Sequence, residues 1–205
     1  MLSKAARYML AALQVILGWE WIVSGINKVL SGTFPQQLDS TLQGGFQDNP
    51  NSWYIGFLKA FVMPHGVFFG YLIEWTEVIT GLALLAGAII VLSSPRLRED
   101  AQHKLAVGIC TLVIFAAIAG SLMTINYHFW IGKSIIPGMS ADPGDEAIDL
   151  EALVPPLSLI IIAAQMAYIK ALRGETWYSR AYAEVKLRLR RFIGMEDELV
   201  KETAS

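Results

Sequence analysis

The amino-acid sequence predicts an all-α integral membrane protein folded as a bundle of four transmembrane helices. Of its 205 residues, 54% are hydrophobic and only 17% are charged, and the mean hydropathy is +0.46. Four apolar runs reach the ~20 residues that a helix needs to cross ~30 Å of hydrocarbon; the predicted spans are about 8–30, 67–92, 105–127 and 153–172. We therefore expect one membrane domain, residues 1–173, followed by a tail, residues 174–205.

The basic residues predict the orientation of the bundle. Of the sixteen Lys and Arg residues, two lie near the N-terminus, three in the second connection and eight in the segment from Lys170 to the end. Because Lys and Arg near the ends of spans stay on the cytoplasmic side, both termini are expected to be cytoplasmic. The first span has no small-residue cleavage site and is expected to be a retained anchor.

The tail and the single cysteine complete the cytoplasmic side. Basic and aromatic residues alternate through 176–193, which predicts a basic amphipathic helix on the inner leaflet. Cys110 is expected in the cytoplasmic half of the third span, and a single cysteine allows no internal disulfide. Nothing in the sequence indicates a metal site or a nucleic-acid partner.

The first outside connection, residues 30–66, ends in an aromatic segment, residues 53–63, with few charges. Its helical spacing predicts an interfacial helix that Pro64 terminates. Both a lid over a pocket and a simple interfacial anchor fit this pattern. The third connection is acidic and rich in Pro-Gly turn signals, and Pro155-Pro156 is expected in the first turn of the fourth span.

Three glutamates, Glu20, Glu74 and Glu77, lie inside the first two apolar spans. A carboxylate in hydrocarbon is costly and seldom persists there without a partner or a task. At ~1.5 Å per residue all three fall in the same layer, roughly 10–15 Å below the outer surface of the hydrocarbon. This layer is the predicted functional site.

Helical phase is expected to turn these residues toward one another. On the first span a polar stripe consists of Glu20, Ser24, Asn27 and Ser31, with Lys28 at its edge. Small residues favour close helix packing. They are Gly70 and Gly81 on the second span and Ala116, Gly120 and Thr124 on the third. The outer end of the third span carries Asn126, Tyr127 and His128. The polar faces are expected to converge inside the bundle.

The chemistry of this cluster leaves three alternatives. Two carboxylates one helical turn apart in a medium of low dielectric constant cannot both ionise cheaply, so one of Glu74 and Glu77 should hold a proton near neutrality. Lys28 can neutralise another acid, and His128 can change its charge near physiological pH. The group could exchange protons with a redox reaction, fix a polar headgroup among apolar walls, or only hold the helices together by hydrogen bonds.

Three short motifs resemble the DoxX-like membrane proteins, and most closely the DoxD type, the membrane part of thiosulfate:quinone oxidoreductase. They are Gly18-Trp19-Glu20-Trp21 through Ser24-Gly25-Ile26-Asn27-Lys28, Phe69-Gly70-Tyr71-Leu72-Ile73-Glu74-Trp75-Thr76-Glu77 through Gly81-Leu82-Ala83, and Asn126-Tyr127-His128-Phe129-Trp130. The resemblance covers roughly the first 135 residues and the four-span layout.

This resemblance implies a prokaryotic cytoplasmic membrane protein that oxidises thiosulfate to tetrathionate at the outer face and passes the electrons to quinone. It implies that Glu20, Lys28, Glu74, Glu77 and His128 are catalytic, with Lys28 and His128 attracting an anion. It also implies a set of quinone-binding residues, namely Trp19, Trp21, Asn27, Trp75, Asn126 and Trp130.

The sequence has no Cys pair, no His pair at helical spacing and no Gly-rich nucleotide fingerprint, so it cannot hold a usual redox centre unaided. Either quinone takes the electrons directly or a partner subunit supplies them. The alternative function is a non-catalytic accessory or scaffolding subunit of a larger respiratory or photosynthetic membrane complex, and a third is a carrier of lipid or quinone. In each case the bilayer, and in the first two other membrane subunits, are the expected partners.

Overall fold

The computed structural model describes residues 3–93, 100–133 and 150–172. These residues contain four helices long and apolar enough to cross a membrane, as predicted. In chain order the elements are α1 (Lys4–Ser31), α2 (Phe34–Gly44), α3 (Ser52–Phe57), a π-helical turn (Leu58–Val62), a 3-10 turn (Met63–His65), α4 (Gly66–Ser93), α5 (Asp100–Ile131) and α6 (Leu150–Leu172). The predicted tail helix, 176–193, and the turns of the third connection lie outside the described residues.

Local signals determine where α1 begins and ends. The Ser3 side chain accepts a hydrogen bond from the Ala6 amide at 3.1 Å, which satisfies one of the free N–H groups of the first turn. At the other end Gly32 adopts φ 64° and its N–H binds the Val29 carbonyl, a left-handed ending that glycine favours. Residues adjacent to the helix in sequence therefore cap it at both ends.

Helices α1 and α4 run antiparallel and in close contact, because glycine residues face the other helix. A Cβ atom on Gly81 would lie 2.7 Å from both the Gly18 carbonyl oxygen and the Ile22 amide nitrogen, and one on Gly25 would lie 2.8 Å from the Val78 amide nitrogen. Such approach is characteristic of small residues at helix interfaces in membranes. The predicted packing role of Gly81 is thus confirmed, and Gly18 and Gly25 share it.

The apolar residues form two separate cores. The larger one fills the bundle, and its buried members include Leu17, Trp21, Leu84, Val113 and Ile161 from all four spans. The smaller one joins α2 to the aromatic segment, and it contains Leu38, Leu42, Tyr54, Leu58 and Val62. The first outside connection is therefore a packed layer against one end of the bundle, and its helix α2 was not predicted.

The prediction that Pro64 ends the aromatic segment is wrong. Residues Ser52–Ser93 form one helical stretch of 42 residues. Pro64, which has no N–H to donate, lies in the 3-10 turn, and a π-helical turn precedes it, so the helical stretch passes through the proline with a locally irregular backbone. The side chain of His65 donates from Nδ1 to the Phe61 carbonyl at 3.0 Å across this irregular stretch. The aromatic segment is continuous with the second span.

The expected position of Pro155-Pro156 also differs. Helix α6 begins at Leu150, so the two prolines lie in its second turn. Proline has no backbone N–H, so the carbonyls four residues before the two prolines lack their usual donor, and these carbonyls lie near the start of the helix. The fourth span is thus about one turn longer than its apolar run suggested.

Candidate functional site

The site is built around an ion pair between α1 and α4. Glu77 is 0% exposed, and its two carboxylate oxygens accept hydrogen bonds from the Lys28 ammonium at 2.8 and 2.6 Å. Lys28 also donates to the Ser24 hydroxyl at 2.7 Å, and Ser24 donates to Glu77 Oε2 at 3.0 Å. All three hydrogens of the ammonium therefore have acceptors, and the two charges cancel.

Helix α5 contributes the third side of this pair. The Tyr127 hydroxyl donates to Glu77 Oε1 at 2.5 Å, so one carboxylate joins side chains from α1, α4 and α5. A hydrogen-bonded and paired charge is the form in which a carboxylate is tolerated in an apolar interior. The close approach of α1 and α4 at Gly25 and Gly81 brings Lys28 within reach of Glu77.

Glu74 lies one turn before Glu77 and is 3% exposed. It is near enough to Glu77 and Lys28 to interact with both electrostatically. Its Oε2 atom has no hydrogen-bond partner among the described residues. The sequence-based prediction that Glu74 and Glu77 share an inward face is confirmed, but only Glu77 is paired with the lysine.

A cavity of about 700 Å³ opens beside the ion pair. Its walls come from α1, α2, the aromatic segment, α4 and α5, and they are mainly apolar. The lining residues are Ser24, Lys28, Phe34, Leu38, Thr41, Leu42, Tyr54, Phe57, Leu58, Val62, Phe69, Ile73, Met123, Asn126, Tyr127, Trp130, Ile131 and Lys133. Its volume falls within the range of ~300–1,000 Å³ that small-molecule sites occupy.

The polar side chains on the cavity wall are largely hydrogen-bonded to one another or to backbone carbonyls. The Tyr54 hydroxyl donates to Asn126 Oδ1 at 2.6 Å, and Asn126 Nδ2 donates to the Leu122 carbonyl at 2.6 Å. The Trp130 indole donates to the Leu42 carbonyl at 2.8 Å. An amide nitrogen carries two hydrogens, so Asn126 keeps one donor for a ligand.

The aromatic segment closes one side of the cavity. Tyr54, Phe57, Leu58 and Val62 all line it, and the ring of Tyr54 lies 5.5 Å from that of Phe129, centroid to centroid, which ties the segment to α5. Of the two sequence interpretations, a lid or an anchor, this placement fits a lid. A π-helical turn is also more frequent at functional sites than elsewhere.

The structure brings some of the predicted site residues together. Lys28, Asn126 and Trp130 line the cavity, and Glu77 lies directly behind Lys28. His128 is buried instead, and its Nδ1 donates to the Thr124 carbonyl at 2.9 Å. Neither His128 nor Glu74 is among the residues that line the cavity.

The prediction that Glu20 and Asn27 face the inside of the bundle is wrong, because both are exposed on α1. The buried stripe of this helix follows Gln14, Gly18, Trp21 and Gly25 instead. Glycine allows the closest helix contact, so the small residues and not the polar ones set which face of α1 is buried.

The predicted tryptophan wall is also distributed differently. Trp19 and Trp75 lie on the outside of the helix bundle and are 65% and 51% exposed. Trp21 belongs to the core, where a Cβ atom on Gly120 would lie 3.1 Å from the Trp21 indole nitrogen. Only Trp130 of the four lines the cavity. The quinone-binding role of the four tryptophans stays a prediction, and Trp130 is the one that this cavity places to fulfil it.

Sequence reasoning missed the contribution of α2. Phe34, Leu38 and Leu42 recur at four-residue spacing along α2, which follows Thr33 and has Pro35 in its first turn. This is the spacing of one apolar helix face, and the three residues line the cavity. This spacing is the signal in the sequence that predicts a further cavity wall from α2.

Comparison with protein-family models, with curated proteins and with solved structures found no match. The described residues define a class only: they are helical, include four helices long and apolar enough to span a membrane, and enclose an apolar cavity beside the Lys28–Glu77 pair.

Proposed function

We propose that the chain binds a quinone in the cavity and is the membrane subunit of a quinone-linked oxidoreductase of the DoxX/DoxD type. The observation that supports this most directly is the cavity itself, about 700 Å³ of mainly apolar wall with a few polar groups at one place. A neutral aromatic ring with an apolar chain matches such walls. A lipid fits the cavity less well, because Lys28 is already neutralised by Glu77 and has little attraction left for a lipid headgroup.

The charge of the site favours a neutral ligand over an anion. Lys28 is held by both oxygens of Glu77 and by Ser24, so it has little attraction left for thiosulfate. Asn126 Nδ2 has a donor for a quinone carbonyl oxygen, and Tyr127 and Lys28 stand at the same wall. The hydrogen-bonded series Tyr127, Glu77 and Lys28 supplies protons to the reduced quinone.

The balance of the reaction then assigns thiosulfate to another place. Two thiosulfate ions form the central S–S bond of tetrathionate and release two electrons, and quinone takes up these electrons with two protons to become a quinol. We place the thiosulfate step at the outer face of a prokaryotic cytoplasmic membrane, on a partner subunit. The basic N-terminus and tail support cytoplasmic termini.

Blocking the cavity tests the proposal. Thr41 lines the cavity from an exposed position on α2, so Thr41→Trp fills space without disturbing the core. We expect this variant to bind a short-chain quinone at least ~10-fold more weakly, which corresponds to ~1.4 kcal/mol of lost contact. The measurement is quenching of tryptophan fluorescence or calorimetry on purified protein, followed by thiosulfate-dependent quinone reduction with its partner subunits.

The matched control is Ser40→Trp, which adds the same ring at the neighbouring exposed position outside the cavity. Ser40→Trp is expected to bind quinone as the unchanged protein does. Equal binding by all three proteins, or no binding by any, contradicts the proposed quinone site.

An accessory role in a larger complex has one observation in its favour. Glu20 and Trp19 are adjacent and exposed on the outward part of α1, away from its buried stripe. This part of α1 therefore offers a polar and an aromatic side chain to a helix of another subunit. The many exposed apolar side chains elsewhere are compatible with lipid contact.

We expect Glu20→Leu to reduce the co-purification of other subunits in mild detergent. The control Ile89→Ala, at an exposed apolar position on α4, is expected to leave co-purification unchanged. Mass spectrometry of the purified complex is the measurement. An identical set of co-purified subunits from Glu20→Leu and from the unchanged chain contradicts a docking role for this face.

A further inference from the structure

Two glutamines lie in the apolar core of the bundle, away from the cavity. Gln14 on α1 and Gln165 on α6 are each 0% exposed. Neither the amide nitrogen nor the amide oxygen of either residue has a hydrogen-bond partner among the described residues. A buried amide without a partner costs several kcal/mol on apolar transfer scales, ~2–7. Four such atoms require partners that these helices do not supply.

The amide of Gln14 packs closely against the backbone of a glycine on α4. Gly87 on α4 faces it, and a Cβ atom there would lie 2.7 Å from Gln14 Nε2 and 2.4 Å from Val113 Cγ2. Helices α1, α4 and α5 therefore meet at this level, and the missing side chain of Gly87 accommodates the amide.

Gln165 projects into the same core. It lies one helical turn from Ile161 and Tyr168, which belong to the cluster that also contains Leu10 and Leu17, the residues one turn either side of Gln14. Both glutamines are thus surrounded by one continuous group of packed apolar residues.

The two amides also lie at similar depth. Gln14 is ten residues from the start of α1 and Gln165 is seven residues from the end of α6. At ~1.5 Å per residue these are about 15 and 10 Å from the two helix ends. Because successive spans alternate in direction, both ends are on the same side of the bundle.

We propose that Gln14 and Gln165 form an internal hydration site, with water molecules bound between the two amides. Water accepts a hydrogen bond from Nε2 and donates to Oε1, so one molecule can satisfy one group of each glutamine. A water molecule is also the smallest hydrogen-bonding partner that a core as closely packed as this one, at Gly87 and Val113, can accommodate. Buried waters typically make ~3 hydrogen bonds and are conserved parts of the fold.

The site differs in kind from the quinone cavity. It is polar at its centre and apolar around it, and it lies in the half of the bundle nearest the start of α1 rather than at the end that α2 covers. Its existence does not depend on the proposed quinone function.

A double-mutant cycle tests the shared water. Gln14→Leu and Gln165→Leu keep the side-chain volume and remove one amide each. Each single change removes one of the two amides that hold the water, so the water and the remaining amide are incompletely hydrogen-bonded, and we expect Tm in detergent to fall by about 4–8 °C. The double variant removes both amides and the need for the water, so its Tm is expected to lie well above the value obtained by adding the two single shifts.

Gln36→Leu, at an exposed position on α2, is the control and is expected to leave Tm unchanged. Additive single shifts, or no shift in either single variant, overturn the proposal. If a variant fails to fold, a structure of the unchanged protein at ~2 Å decides the question, because density within hydrogen-bond distance of both amides supports the site and its absence there refutes it.

Discussion

Replacing Lys28 by Met is expected to destabilise the bundle by about 3–5 kcal/mol, because it strands the Glu77 carboxylate in the core without its cation. Glu77 is 0% exposed and receives two of its hydrogen bonds from Lys28. Ser24 and Tyr127 remain as donors but carry no charge. The measurement is the unfolding free energy or Tm of the purified protein in a fixed detergent.

Two further variants separate the effect of losing the ion pair from the effect of losing the lysine side chain. The double change Lys28→Met with Glu77→Gln removes the stranded charge and keeps an amide that Ser24 and Tyr127 can bind, so it should recover most of the stability. Lys104→Met, at an exposed position on α5, is the control and should have little effect. If Lys28→Met is no less stable than Lys104→Met, the pair does not hold the helices.

Gly81→Ala is expected to have the second large effect. The added Cβ would lie 2.7 Å from two backbone atoms of α1, the Gly18 oxygen and the Ile22 nitrogen. Backbone cannot turn aside as a long side chain can, so α1 and α4 must separate, at a cost of about 1–3 kcal/mol. The separation also lengthens the contact between Lys28 and Glu77, and quinone binding in the adjacent cavity should weaken with it.

The control for this change is Gly108→Ala on α5, where a Cβ atom has no neighbour within 4 Å. Alanine is the better helix former by ~1 kcal/mol, so this variant should be as stable as the unchanged protein or slightly more so. Thermal unfolding of the two variants side by side is the measurement, and equal stability contradicts the tight α1–α4 contact.

Hydrophobicity alone predicted the four spans, because long apolar runs have few other stable arrangements. The predicted pairing of Lys28 with a glutamate is confirmed for Glu77. The prediction for Glu20 is wrong because the polar stripe of α1 is not its buried face, which contains Gly18 and Gly25 instead. In a bilayer the burial of a helix face is decided by how closely it can pack, since apolar side chains gain nothing by leaving lipid.

The outside layer was harder to predict for a different reason. Helix α2 has a short apolar face that is buried only because the aromatic segment packs over it, so its stability depends on residues distant in sequence. The course of the chain through Pro64 likewise depends on two irregular turns whose pattern is not evident from residue types. Such features follow from tertiary packing rather than from local preference.

The continuous helical stretch of 42 residues, Ser52–Ser93, has a geometric consequence. At ~1.5 Å per residue its contour is about 63 Å, roughly twice the hydrocarbon thickness. One end carries Tyr54 and Leu58 against the cavity, and the middle carries Glu74 and Glu77. A straight α-helix would hold Tyr54 and Ile73 ~28 Å apart, yet both line the same cavity. The stretch therefore bends at its irregular turns and folds its aromatic part back over the cavity.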